Sequence, residues 1–309
     1  VGEKVRDDGG EPLRVLVTGA TGFLGRVQVP LLVADGHTIT ALGGATRESP
    51  FDETVEYLSL DLTAADSVSA AFSDWRWDAL VHLAGPVAHG ALDWDKERDL
   101  VTSHVRMALN LSAAIPNGWQ GRVVHASSMT VYGTPEALPI LESHPRAPRH
   151  MYGLGKVLAE DAWLSKRGLD LWCLRFPGLF SANRRGGALY HFMQAARTGR
   201  PLHITAPEPT PWDVLDVRDA AEAIRLALRA QSRHVGPLNV SYGEAVELRG
   251  LAKMVVEIAE SASPTVVQPD IRHPAFQMSI AKAATLFAWD PPALRTRLHE
   301  LYIAFGESV

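Results

Sequence analysis

Residues 13–25, LRVLVTGATGFLG, run from a short apolar segment of branched side chains straight into three glycines, Gly19, Gly22 and Gly25. An apolar run of this length that stops at glycine reads as a buried strand, and RVQVPLLVADG (26–36) after it reads as a helix closed by Gly36. Strand, glycine turn and helix in that order make an anion site. Glycine leaves backbone amides open to a phosphate, and a helix N-terminus favours negative charge. The spacing is GxxGxxG, one residue from the usual GxGxxG, and it stands in the strand-to-helix context that a dinucleotide fingerprint requires.

The same alternation continues outward. HTITAL (37–42), VEYLSLDL (55–62), DALVHLAG (78–85), GRVVHASS (121–128) and LDLWCLRFP (169–177) read as strands. ADSVSAAFSD (65–74), residues 94–114 and residues 150–166 read as helices between them. Fully apolar strands alternating with helices predict an α/β fold, a Rossmann-type doubly wound parallel sheet covered on both faces. From Gly178 the regularity lapses into proline- and glycine-rich loops around one helix, which predicts the start of a smaller C-terminal substrate lobe. VLDVRDAAEAIRLALRA (214–230) returns to helix and GPLNVSYGE (236–244) to strand. The expected division is a dinucleotide-binding domain over 12–177 plus about 213–240, a substrate lobe over about 178–212 and 241–309, and a loose tail over 1–11.

Composition narrows the classes of function. The chain has 309 residues, 46% hydrophobic and 21% charged, with a formal charge of −5. That is globular, and it carries no basic footprint for nucleic acid or an anionic membrane. A single cysteine, Cys173, lies in an apolar run and reads as a buried structural thiol. No apolar run is long enough to span a bilayer, and the start is polar and charged, so a soluble cytoplasmic protein is expected. The twelve histidines show no ligand spacing, and no metal is expected.

RHMYGLGKVLAE (149–160) places Tyr152 and Lys156 one helical turn apart, on one face. Together with TGxxGxxG (18–25), Asp61-Leu62, HLAG (82–85), SSMTVYG (127–133) and RFPGLF (175–180), this set resembles the extended short-chain dehydrogenases/reductases, the NAD-dependent epimerase/dehydratase family. The resemblance covers roughly residues 13–240. It implies that Tyr152 is the general acid/base, that Lys156 holds the nicotinamide ribose, and that Ser128 hydrogen-bonds the reacting oxygen. An ammonium near Tyr152 is expected to draw the phenol's pKa down. The resemblance assigns the cofactor to Gly19, Thr21, Gly22, Phe23, Leu24 and Gly25, to Asp61 and Leu62 at the adenine, to Leu83, Ala84 and Gly85, and to Pro177 and Gly178. Tyr132 is expected to pack or to touch substrate. Related proteins form dimers through the helices near 94–114 and 150–166, which implies a homodimer.

Dehydratases and decarboxylases of this family carry acids after the serine position, and Met129 and Thr130 stand there instead. That leaves reversible hydride transfer: a ketoreductase acting on a nucleotide sugar, an epimerase, or a small-molecule alcohol dehydrogenase, since RFPGLFS and GGALYHF also resemble the bacterial-type threonine dehydrogenases. A dinucleotide sensor without catalysis is disfavoured by the retained Ser128, Tyr152 and Lys156. An NAD enzyme usually ends its second strand with an acid for the adenosine 2′-hydroxyl. Here Gly43 occupies that position and Thr46 and Arg47 follow, which favours NADP(H) over NAD(H) and makes Arg47 a candidate for the 2′-phosphate. Trp212 replaces the arginine with which nucleotide-sugar members grip the diphosphate, and Arg184 and Arg185 are candidates to supply that grip. His104 stands where relatives carry an asparagine that supports a proton-relay water. It either fills space or, with an ordinary imidazole pKa near 6.5, exchanges protons itself.

Overall fold

The computed structural model describes residues 11–44, 48–87, 93–204, 210–244, 246–268 and 275–307. β1 (Arg14–Thr18) enters the glycine turn and α1 (Gly25–Ala34) leaves it. Gly36, at φ +83°, lets the chain turn back after α1 into β2 (Thr38–Gly43). β3 (Glu56–Ser59), α2 (Ala65–Ala71), β4 (Ala79–His82) and α3 (Trp94–Ala114) follow, and the Asp93 carboxylate caps α3 by accepting from the Lys96 amide at 2.9 Å. β5 (Arg122–Ser128) runs through a 3₁₀ turn (Met129–Tyr132) toward α4 (Met151–Ser165) and β6 (Asp170–Phe176).

All neighbours in the main sheet are parallel. Once β7 (Gly178–Phe180), α5 (Ala188–Arg197), β8 (Leu202–Ile204), β9 (Val214–Asp216), α6 (Val217–Arg229) and β10 (Val235–Asn239) are added, its seven strands lie in the order β10-β6-β5-β4-β1-β2-β3. α1 and α6 pack together on one face, and α2, α3 and α4 cover the other. The expected doubly wound sheet is therefore present. Its strand order reverses between β1 and β4, the position where such sheets open a crevice at their carboxyl ends.

The C-terminal part adds α7 (Leu248–Ile258), β11 (Thr265–Val267), α8 (Ala281–Phe287) and α9 (Leu294–Glu307). Two small parallel pairs, β7 with β9 and β8 with β11, occupy segments read from sequence as loop or helix. β9 ends at Asp216, whose carboxylate accepts from the Arg218 amide at 2.8 Å and starts α6. A side-chain cap thus divides one stretch that reads as continuous helix. Among the described residues, no helix is long and apolar enough to cross a membrane.

Candidate active site

The glycine turn lies against the end of β4. Gly19 has φ +69°, and a Cβ on it would come within 2.6 Å of the Ala84 amide nitrogen, so only glycine fits. The Leu83 amide donates to the Thr18 carbonyl at 3.1 Å, which keeps Leu83, Ala84 and Gly85 beside the turn. Gly22 and Phe23 are exposed, whereas Thr21, Leu24 and Gly25 are buried. A cavity of about 470 Å³ runs past Thr21, Gly22, Phe23 and Arg26 to Ser181 and Asn183. Asp61 closes its own turn by accepting from the Thr63 amide at 2.9 Å, and the Asn110 side chain of α3 donates to the Leu62 carbonyl at 2.9 Å. Asn110 therefore anchors the expected adenine loop, a role its position in a helix did not reveal. Arg47 lies outside the described residues.

Ser128 ends β5, and Tyr152 and Lys156 come from the first turns of α4, which packs on the 3₁₀ turn after β5. The Lys156 ammonium is buried, donates to the Ala126 carbonyl at 2.9 Å, and lies 5.7 Å from the centre of the Tyr152 ring. Burial lowers its pKa to about 8, and Glu160 one turn further on holds it up. Burial pushes the Tyr152 phenol up to about 12 against the opposing pulls of the Ser128 hydroxyl and the Arg184 charge. The expected downward shift of the phenol is corrected accordingly: desolvation outweighs the charges around it. Ser128 Oγ also accepts from the Thr130 amide at 3.2 Å and from the Thr130 hydroxyl at 3.0 Å.

His104 is wedged between two glycines. A Cβ on Gly85 would lie 2.3 Å from its Cε1, and one on Gly155 2.9 Å from its Cδ2. Its Nε2 is 3.0 Å from the Pro86 carbonyl oxygen, which can only accept, so Nε2 carries the proton. Burial, with the Lys156 charge adding to it, lowers the pKa to about 2. The reading of His104 as a proton exchanger near neutral pH is thus corrected: the imidazole is neutral there, and its environment is that of packing.

Beneath this group, Glu160 and Arg175 form a buried ion pair, with Arg175 Nη2 donating to Oε2 at 2.6 Å and the Ser127 hydroxyl donating to Oε1 at 2.5 Å. Arg175 Nη1 also donates to the Tyr132 hydroxyl at 2.8 Å, and that hydroxyl donates to Asn239 Oδ1 at 2.6 Å. Tyr132 is a fully buried packing residue, as is Cys173, whose thiol burial pushes up.

The two candidate arginines separate. The guanidinium of Arg184 lies 5.6 Å from the Phe23 ring centre and donates to the Leu179 carbonyl, whereas Arg185 is exposed with no hydrogen bond or ion pair among the described residues. Trp212 lines both a cavity of about 210 Å³ shared with Gly178 and Arg184 and a larger one of about 660 Å³ shared with His191, Arg200 and His203. The last three residues were not singled out from sequence; His191 lies on α5, whereas Arg200 and His203 come from the loop after it and from β8, where no local pattern marks them. Pro177 and Gly178 join β6 to β7 at the rim. Among the described residues, no group of His, Cys, Asp and Glu side chains could hold a metal ion.

Comparison with known proteins agrees with this geometry. The model of a family described as the NAD dependent epimerase/dehydratase family matches residues 15–241. The UDP-glucose 4-epimerase of Azospirillum brasilense is 30% identical over 277 residues, spanning 81% of this chain and 79% of that relative. The dTDP-6-deoxy-L-talose 4-dehydrogenase (NAD(P)(+)) of Kitasatospora kifunensis is 29% identical over 317 residues, spanning 95% of this chain and 96% of that one. The Bordetella bronchiseptica enzyme WbmG, solved in complex with NAD, superposes with a TM-score of 0.83 over 97% of this chain and 96% of its own, at 21% identity, a likeness of fold.

Proposed function

Because the chain belongs to the NAD dependent epimerase/dehydratase family, we propose that it transfers hydride reversibly at a hydroxyl or ketone carbon of a nucleotide sugar, working chiefly as a ketoreductase. The observation that carries this reading is the convergence of Ser128, Tyr152 and Lys156 at the carboxyl edge of the sheet. The glycine turn, the Leu83–Gly85 strand end, Asp61, Leu62, Pro177, Gly178 and Lys156 would hold the dinucleotide. They fit it: the close approach at Gly19 admits no side chain, and an open cavity runs along the turn. A bound nicotinamide supplies the hydride. A phenol at about 12 keeps its proton at neutral pH, so Tyr152 donates to the carbonyl oxygen that accepts the hydride at its carbon. Ser128 hydrogen-bonds the same oxygen, and Lys156 holds the ribose and stands beside the phenol. His104 acts here by keeping α3, Gly85 and α4 in register.

NADP(H) is the proposed preference over NAD(H), supported by the lack of an acid at Gly43 and Gly44 and by the NAD(P)(+) in the name of the Kitasatospora relative. The cavities that meet at Trp212 have the size and position for the nucleotide part of the substrate, with Arg184 available to phosphate oxygens. Leu109 on α3 and Leu158 and Leu164 on α4 are exposed apolar residues, which supports a second copy of the chain as the partner.

A thermal-shift screen of NADPH and NADH beside UDP-, TDP- and GDP-sugars tests binding, since a ligand at a hundred times its Kd stabilises by ~2.7 kcal/mol. Incubating a nucleotide 4-ketosugar with NADPH then tests the chemistry. Alcohol formed in step with NADPH oxidation is expected; the failure of every dinucleotide to bind would overturn the reading. Interconversion of sugar epimers without net cofactor oxidation would establish the second reading, an epimerase, which the 30% identity to a UDP-glucose 4-epimerase favours.

A further inference from the structure

Gly43 ends β2 at the position where a carboxylate would meet the adenosine 2′-hydroxyl, and its side-chain space is already taken. A Cβ built on Gly43 would lie 2.0 Å from the Tyr57 hydroxyl oxygen and 2.9 Å from the ring carbon that bears it. The strand register explains this. In the parallel pair β2/β3, Ala41 faces Tyr57 and Gly43 faces Ser59, so Ala41, Gly43 and Tyr57 share one face of the sheet. From its place opposite Ala41, the Tyr57 ring reaches along the strand toward the carboxyl edge, and its hydroxyl arrives beside Gly43. The Thr21 methyl lies 3.1 Å from the same Cβ point, so the phenol stands next to the glycine turn. The Ala20 amide donates to the Leu42 carbonyl at 3.1 Å and the Ser59 hydroxyl to the Gly44 carbonyl at 3.0 Å, which fixes turn, β2 and β3 relative to one another at this corner.

Resting on the dinucleotide-binding reading above, we propose that Tyr57 takes the place of the missing strand-end acid: its hydroxyl is the protein's partner for the adenosine 2′ position. A neutral phenol donates and accepts, so it meets a 2′-hydroxyl or a 2′-phosphate without the repulsion that a carboxylate exerts on the latter. Gly43 is the other half of the device, because the phenol occupies the space that a side chain at this position would need. Cofactor choice at this corner is therefore set by a pair of residues on neighbouring strands.

Titration calorimetry with NADH, NADPH, 5′-AMP and 2′,5′-ADP tests this without reference to turnover. Tyr57→Phe keeps the ring and its packing, and it should weaken NADH and NADPH each by about fivefold, the worth of one hydrogen bond. Gly43→Asp with Tyr57→Ala should favour NADH over NADPH by about thirtyfold or more relative to wild type, whereas Gly43→Asp alone should shift the ratio far less because the phenol blocks its carboxylate. Wild-type affinity of Tyr57→Phe for both dinucleotides would overturn the proposal while leaving the family's cofactor reading intact. So would a Gly43→Asp shift as large as that of the double variant. A wild-type protein that binds none of the four nucleotides would overturn both.

Discussion

The imidazole of His104 stands edge-on to the Tyr152 ring, with centroids 5.6 Å apart and planes at 72°. It is a neutral neighbour of the proposed acid, because burial holds its pKa at about 2. It gains no proton anywhere between pH 5 and 9, so it cannot contribute a titration there. The kcat profiles of wild type and His104→Asn should therefore have the same shape between pH 6 and 7.5. A wild-type inflection in that window that vanishes in His104→Asn would restore the relay role.

Tyr152→Phe should reduce turnover by about a thousandfold or more and leave dinucleotide affinity within a few fold, since the phenol moves a proton and does not hold the cofactor. Lys156→Ala should damage both. Single-turnover rates and calorimetric Kd values separate the two effects; intact dinucleotide binding in Lys156→Ala would remove the lysine from the cofactor site.

The buried ammonium also sets a pH limit. Lys156 is charged below its pKa of about 8 and neutral above it, so kcat/KM should fall as pH rises through about 8. Lys156→Arg, which stays cationic, should lack that limb even if its overall rate is lower. An unchanged alkaline limb in this variant would assign the titration to another group.

Asp213 offers a stability test away from the proposed chemistry. It is buried, accepts from the Met278 amide at 2.6 Å, and is raised by burial to about 7. The folded state then binds more protons than the unfolded chain between the ordinary carboxylate range and pH 7, so stability declines as pH rises through that window. Asp213→Asn mimics the protonated form. It should exceed wild type by on the order of 2–4 kcal/mol at pH 8, with the gap closing as pH falls toward 4. Parallel denaturation curves of the two proteins at pH 5 and pH 8 would show the opposite if the carboxylate is stabilising.

The parallel sheet and the Tyr152–Lys156 helix were legible because their signals are local: apolar β-branched runs, glycine turns and helical spacing each lie within one stretch of chain. β7, β8 and β9 were not, since three-residue strands show no periodicity and form only when a distant partner pairs with them. The 214–230 stretch kept its helical pattern through β9 because its apolar residues serve both states. His104 could be located on its helix but its state could not, because that depends on the space left by Gly85 and Gly155, far away in sequence. The empty side-chain position at Gly43 was visible as a missing acid; the phenol that fills it comes from the next strand, and only the register reveals it.

β10 is the seventh strand of the sheet and pairs with β6, although the two are separated in the chain by β7, α5, β8, β9 and α6. During synthesis the glycine turn and the helix bearing Tyr152 emerge early, yet the outer margin of β6 has no neighbour until residues 235–239 leave the ribosome. Over that interval a half-made chain displays unpaired amides and carbonyls along an apolar strand, the kind of margin to which another nascent chain can add. Asn239 then seals it, donating from its side chain to the Ile140 carbonyl at 2.9 Å and accepting from Tyr132. Fragments that stop short of residue 239 should accordingly aggregate even though they contain the whole Ser128, Tyr152 and Lys156 set, and chaperone demand should be greatest while the intervening segment is being translated.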